Sequence, residues 1–326
     1  MLSGQAGEPR PEHGFARAAV VGAGLMGSRL AGILAAGGLS VELTDLRADL
    51  LGPGAATAAH LAASLAAAAG TTPGPVRAEA DLSAAVRHAD LVVEAIIENL
   101  AAKQDLFARL DAATPDAVLA TNTSVLPVRE VAAKATHRHR IIGTHWWNPP
   151  DLIPVVEVVP CADTSQPTTD RVIALLTALG KEPVLVRRDV PGFIGNRLQH
   201  ALWREAIALV AEGVADAPTV DRVVRNTIGL RLATMGPLEN ADYVGLDLTL
   251  AIHEAVLPGL NQSGQPSPLL AELVAAGHLG AKTGSGFGSW PPGARDAVAQ
   301  RLSEHVTAQL RARREERNRH DIQLAD

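Results

Sequence analysis

A histidine and a glutamate in the stretch IIGTHWWNPPDLIPVVE, residues 141–157, are the residues best placed to do chemistry. His145 ends a short apolar run that starts at Ile141 and Ile142. Glu157 lies inside the alternating run Val155–Val159, twelve positions after the histidine. Between them Asn148-Pro149-Pro150-Asp151 reads as a turn, because Pro fixes φ and lacks a donor while Asn and Asp tolerate turn geometry. Two strands flanking one loop can bring the ring and the carboxylate together. A carboxylate bonded to one ring nitrogen fixes the tautomer and stabilises the cation, as a general base requires. The other reading is a solvent-facing His at a strand end and a Glu on the polar face of a half-buried strand. From this stretch alone both stand.

A second pattern bears on what such a base would serve. The apolar strand Ala18–Val21 runs into Gly22-Ala23-Gly24-Leu25-Met26-Gly27 and then a helical pattern over 28–36. Gly22 permits a tight turn, Gly24 lets a pyrophosphate approach the backbone, and Gly27 lets helix and strand pack closely. The pyrophosphate would lie against the positive helix N-terminus. The next strand, 39–44, ends at Asp45, about 20 positions beyond Gly24, where an acid accepts hydrogen bonds from ribose hydroxyls. A carboxylate there repels a 2′-phosphate and favours NAD over NADP; Arg47 leaves NADP open, and a helix-capping role for Asp45 is the competing reading.

Those residues need a frame, and the pattern supplies one. A helix over 48–69 is followed by a short strand at 76–80 and a longer one at 91–97. Glu98-Asn99 opens a helix with Lys103, Leu106, Phe107 and Leu110 at core-facing spacing. A strand at 117–120 ends in Thr121-Asn122-Thr123-Ser124. Such alternation predicts a parallel, doubly wound α/β sheet of the Rossmann type. Ligands collect beyond the carboxyl ends of its strands, where Glu98, Asn122, Ser124 and His145 all fall. Taken singly, Asn122 and Ser124 are equally turn formers. After a helix at 168–179 and a last strand at 182–187, Asp189-Val190-Pro191-Gly192 breaks the pattern. Only helices follow: 193–212, 219–227, 243–255 and 268–276, with loops at 229–238 and 258–268. The expected organisation is an arm over 1–16, an α/β domain over 17–189, an all-α domain over 190–295 and a helical tail over 296–326.

The bulk numbers limit the partners. The chain has 326 residues, 47% hydrophobic and 20% charged, enough for two domains with cores. A net charge of −6 leaves no broad basic field for nucleic acid. The basic run Arg311–Arg314 is answered at once by Glu315 and Glu316. One cysteine, Cys161, excludes disulfides within the chain and argues against a cysteine metal cluster, so no metal is expected. No uninterrupted apolar run approaches the ~20 residues of a membrane span. The Ala-rich run 55–69 comes nearest and is interrupted by His60 and Ser64. A cytoplasmic protein that binds no membrane is the expectation.

Taken together, GAGLMG, Asp45, VVEAIIENLAAKQDLFARLD, TNTS, GTHWWNPP, VVEVV, DVPGFIGNRL, GPLENADYVGLD and GAKTGSGF follow the order seen in L-3-hydroxyacyl-CoA dehydrogenases. The chain resembles that superfamily from Ala18 to Trp290. NPPDLIPVVEVVP and GNRLQHALWREA resemble its lambda-crystallin/L-gulonate 3-dehydrogenase branch, which acts on free hydroxy acids. The resemblance implies that His145 is the base, Glu157 the carboxylate that orients it, Ser124 the hydroxyl on the substrate oxygen and Asn196 the amide placing the reacting end. It implies that Glu98, Lys103, Asn148 and Lys282 line the NAD site with Leu25, Met26 and Asn122. It also implies a homodimer through the helical domain, an L (S) substrate and a place in fatty acid metabolism.

One departure bears on the substrate. CoA-using members carry basic residues on the helix after the acid, whereas residues 48–70 contain no Lys or Arg. A bare face suits the phosphates of CoA poorly. Trp146 and Trp147 either narrow the pocket or pack the domain seam. The expected activity is NAD-dependent interconversion of a 3-hydroxyacyl thioester and its 3-keto form. The alternatives are a dehydrogenase of a free 3-hydroxy acid or a carrier-bound acyl group, and an inactive dinucleotide-binding structural protein.

Overall fold

The computed structural model describes residues 13–323, without the side chains of 314 and 316–323. The arm expected over 1–16 lies largely outside the described residues. Its last residues are packed: Phe15 is buried, with the Arg171 guanidinium 4.2 Å from its ring centroid.

The chain divides into two compact units, Met1–Asn196 and Arg197–Asp326. The first holds β1 (Arg17–Val21), α1 (Leu25–Ala36), β2 (Ser40–Thr44), α2 (Ala48–Ala69), β3 (Val76–Ala78), α3 (Leu82–Val86), β4 (Leu91–Glu94) and α4 (Leu100–Ala113). It continues with β5 (Val118–Thr121), α5 (Val128–Val131), β6 (Ile141–Trp146), β7 (Val155–Pro160), α6 (Gln166–Ala178) and β8 (Glu182–Leu185), and the first residues of α7 (Gly195–Ala211).

These strands form one sheet of order β3-β2-β1-β4-β5-β6-β7-β8. Neighbours from β3 to β6 are parallel, and the order reverses beside β1, the switch point where such sheets bind ligands. The parallel, doubly wound sheet expected from the alternation is present over these strands, and β7 then runs antiparallel to β6. The connection of residues 147–154 is too short for the crossover that parallel strands need. Successive residues of the central strands enter opposite cores. Ala18, Val20, Val93 and Ala120 pack with α1, α2 and α6, while Ala19, Val21, Val92 and Leu119 pack with α3, α4 and α5.

Close packing explains the alanine content of α2. Gly54, Ala58, Ala62 and Ala66 are buried at one-turn spacing. A Cβ on Gly32 of α1 would stand 2.8 Å from the Ala58 carbonyl oxygen, so the two backbones nearly touch. By length and hydropathy α2 is also apolar enough to cross a membrane, but its small-residue stripe lies against α1.

The second unit contains the rest of α7, then α8 (Ala217–Asn226), α9 (Ile228–Leu232), α10 (Pro237–Val244), α11 (Leu246–Val256), α12 (Pro268–Ala275) and α13 (Ala294–Gln323). Two expectations need correction here. The loop expected at 229–238 contains α9, and the helix expected at 243–255 is two helices parted at Gly245. That glycine has φ +107, and Pro237 opens α10 where the Gly236 N–H is accepted by Glu239. The short helices α3 and α5 escaped the periodicity because each is a single turn or little more.

Candidate active site

Strand register, rather than the loop between them, brings His145 and Glu157 together. Residues 145 and 157 are directly paired across β6 and β7, so both side chains leave the sheet on one face. His145 Nδ1 lies 2.7 Å from Glu157 Oε2, and both side chains are buried. Nδ1–H donates to the carboxylate, which accepts, and no hydrogen bond engages Nε2 among the described residues.

The other carboxylate oxygen, Glu157 Oε1, accepts the backbone N–H groups of Ile194 (2.9 Å) and Gly195 (3.1 Å). These are orphan donors at the start of α7, so the glutamate caps that helix while it orients the ring. Phe193 makes the geometry possible. Its backbone is in the left-handed region, φ 51, rare for a bulky residue, and its buried ring lies 5.8 Å from the His145 ring. Burial alone would raise the Glu157 pKa. The hydrogen bond from His145 and the amides of Gly195 and Ile194 outweigh it and hold the carboxyl below its ordinary value of 4.5.

His145 opens onto a cleft of about 190 Å³ in the first unit. Asn122, Ser124, Asn148 and Asn196 give it polar atoms, and Met26, Trp146 and Trp147 give it apolar walls. Asn122 Oδ1 accepts the Trp146 N–H at 3.0 Å, and Asn196 Nδ2 donates to the Ser124 carbonyl at 2.7 Å. The rim of β5 is thereby tied to β6 and to the start of α7.

The glycine turn fits a dinucleotide. Gly22 has φ +109, and a Cβ there would stand 2.5 Å from the Ala95 carbonyl oxygen. A Cβ on Gly27 would meet the Gly22 carbonyl at 1.7 Å, while one on Gly24 would meet nothing within 4 Å. Gly24 is also the N-cap of α1 and supplies no side-chain cap. A side chain at 24 would fill the space where phosphate oxygens reach the free amides, with Leu25 and Met26 on the first turn. Asp45 Oδ2 accepts the Ala23 N–H at 2.7 Å and Oδ1 the Arg47 N–H at 2.8 Å. Its remaining lone pairs suit a ribose. The Arg47 side chain is drawn to Asp49, with Nη2 2.6 Å from Oδ2.

Three of the residues implied to line the cofactor site have the following surroundings. Lys103 is fully buried and paired with buried Glu94 at 2.6 Å, with Glu98 at 3.4 Å. In keeping with its core-facing spacing on α4, it braces the end of β4 from beneath. Glu98, its side chain partly exposed, accepts from the Thr123 hydroxyl and from the Ser124 N–H at 3.2 Å. It shapes the β5 loop. Lys282 belongs to the second unit and is exposed on a turn closed by Gly280 and Ser285.

Glu94, which also accepts from Ile96 and Thr121, was legible only as an acid inside an apolar strand. Lys181 gave no signal. Its ammonium donates to the carbonyls of Pro150 (2.6 Å) and Ile153 (3.1 Å), and burial, opposed by nearby Asp151, lowers its pKa to about 8. Arg29 of α1 pairs with that same Asp151, so the loop carrying Trp147 and Asn148 is clamped from both sides.

Comparison with known proteins agrees with this geometry. The family described as 3-hydroxyacyl-CoA dehydrogenase, NAD binding domain, matches residues 17–190, and 3-hydroxyacyl-CoA dehydrogenase, C-terminal domain, matches 192–290. The 5-formyl-3-hydroxy-2-methylpyridine 4-carboxylate 5-dehydrogenase of Mesorhizobium japonicum is 33% identical over 89% of this chain and 96% of its own. A probable 3-hydroxybutyryl-CoA dehydrogenase of Bacillus subtilis is 45% identical over 61% of this chain and 69% of its own. Among solved structures, an NAD+-dependent dismutase with the same pyridine-carboxylate dehydrogenase name superposes with a TM-score of 0.84 at 32% identity, covering 91% of this chain and 97% of that one. The (S)-3-hydroxybutyryl-CoA dehydrogenase of Ralstonia eutropha gives 0.67 at 30% identity, covering 85% and 99%. With both domain families matched in order and the His–Glu pair beside a dinucleotide turn, the chain is a member of the 3-hydroxyacyl-CoA dehydrogenase family and an NAD-dependent oxidoreductase.

Proposed function

We propose that the chain oxidises the 3-hydroxyl of a 3-hydroxyacyl thioester reversibly, with His145 as the base. The observation that carries the reading is the buried His145–Glu157 pair opening onto a cleft lined by Ser124, Asn122 and Asn196. NAD, when bound, accepts the hydride released as the carbinol C–H bond breaks. His145 takes the hydroxyl proton on Nε2 as the C=O bond forms, and Glu157 stabilises the imidazolium so created. Ser124 holds the substrate oxygen, and Asn196 holds the loop that carries Ser124. Fixing two reactants in attack geometry can supply ~7–11 kcal/mol of the barrier reduction.

A second reading, a dehydrogenase of a free acid, is favoured by two observations. Residues 48–70 offer no Lys or Arg to CoA phosphates, and the pyridine-carboxylate relative superposes better than the CoA-using one. NADH absorbance with 3-hydroxybutyryl-CoA, free 3-hydroxybutyrate and L-gulonate separates the readings. His145→Ala should abolish turnover while NADH still binds; near-normal kcat would remove His145 from the chemistry.

A homodimer is part of the proposal. Leu230, Leu238, Tyr243, Leu246 and Leu250 of the second unit are each more than 60% exposed, and a second copy would cover them. A cytoplasmic location is proposed from the single free cysteine, Cys161.

A further inference from the structure

We propose that Trp147 determines specificity, and that the substituent beside the reacting carbon is flat and uncharged, an aromatic ring or conjugated group. The inference rests on the dehydrogenase reading above and names its substrate class. Trp147 is half-buried, its ring centroid 4.8 Å from that of His145 and tilted by 57°. On its other side the indole is seated on Gly195, where an added Cβ would stand 2.2 Å from Cζ2 and 2.9 Å from Cη2. Glycine at 195 is therefore what lets the indole lie against the start of α7, whose amide holds Glu157.

The ring cannot retreat without disturbing the pair that carries the chemistry. It forms a rigid wall beside the base, on a loop clamped by Lys181 and by the Arg29–Asp151 pair. Met26 supplies a soft apolar wall, and the cleft contains no Lys or Arg to receive a charge. At about 190 Å³ the cleft is smaller than the ~300–1,000 Å³ typical of sites for drug-sized ligands. A flat group fits beside the indole and Met26 in so small a space, whereas a branched or coiling chain needs more room.

The test compares a phenyl with a methyl substituent on the same carbon. Turnover of 3-hydroxy-3-phenylpropionyl and 3-hydroxybutyryl groups, each as CoA thioester and as free acid, is measured for the wild type, Trp147→Phe and Trp147→Leu. The wild type should favour phenyl by about tenfold in kcat/KM, Trp147→Phe should keep most of that preference, and Trp147→Leu should lose it through a higher KM for phenyl. Calorimetry of benzoylacetate and acetoacetate on the NAD-loaded enzyme reads the same preference without turnover. Preference for methyl in the wild type, or a ratio unmoved in Trp147→Leu, overturns the role of Trp147. If that variant does not fold, the wild-type ratio still decides. Ring preference in calorimetry without turnover of any of the four substrates supports Trp147 and counts instead against the hydride-transfer reading.

Discussion

At the scale of single residues, the glutamate behind the histidine has two tasks. One oxygen fixes the imidazole, and the other caps α7 through the Ile194 and Gly195 amides. Glu157→Gln keeps the shape but removes the charge that stabilises an imidazolium, so kcat should fall about 10³-fold with KM changed only a few-fold. A loss confined to KM would instead make Glu157 a binding residue. The same residue has a pH signature. Because its folded carboxyl is held below 4.5, its contribution to stability is present above about pH 4.5 and is lost as pH falls through the folded value. The Tm of the wild type minus that of Glu157→Gln should therefore shrink as pH drops below 4.5; a flat difference would mean that the carboxyl is not held down. Asp45 has a comparable test. Asp45→Asn keeps an acceptor for the Ala23 N–H but loses its repulsion of a 2′-phosphate, so the kcat/KM ratio of NAD to NADP should fall by about tenfold. An unchanged ratio would place the selectivity elsewhere.

Individual residues were easier to read from the sequence than the elements that hold them. The alternation of 155–159 and the glycine turn both showed which residues could act, since period and turn chemistry are local. The direct pairing of 145 with 157 was not local: it depends on β7 turning back along β6. Lys103 shows the same limit. Its spacing on α4 placed it with Leu106, Phe107 and Leu110, and it is buried with them, but its partner Glu94 lies on a different element. The pair ties α4 to the end of β4, and Glu94 reaches β5 through Thr121. Lys103→Met leaves a buried carboxylate without its cation and should cost about 3–5 kcal/mol of stability in urea unfolding. Adding Glu94→Gln should recover much of that loss, since an uncharged pair demands less of its surroundings. Equal destabilisation in the single and double variants would show that the methionine's shape is at fault rather than the broken pair.

For the whole molecule, the contrast between its two units is the dominant fact. The first fills both faces of a sheet with buried side chains. In the second, Ala208 and Val220 are the buried hydrophobic residues among those described, while leucines on α9, α10 and α11 face outward. Helices of this length gain most of their stability from packing an apolar face, so such a unit needs another surface against it. In the proposed homodimer a second copy supplies one, and folding of the helical unit is then linked to association. The Tm should then rise with protein concentration, and sedimentation should give twice the chain mass of 33.9 kDa. Leu230→Asp with Leu250→Asp places charges on that face. The pair should shift the protein to monomer and lower the unfolding temperature of the helices, while the first unit, which carries the glycine turn and Asp45, still binds NADH. A variant that stays dimeric, or a wild type that sediments as a monomer at every concentration, would mean that something other than a second copy covers these leucines.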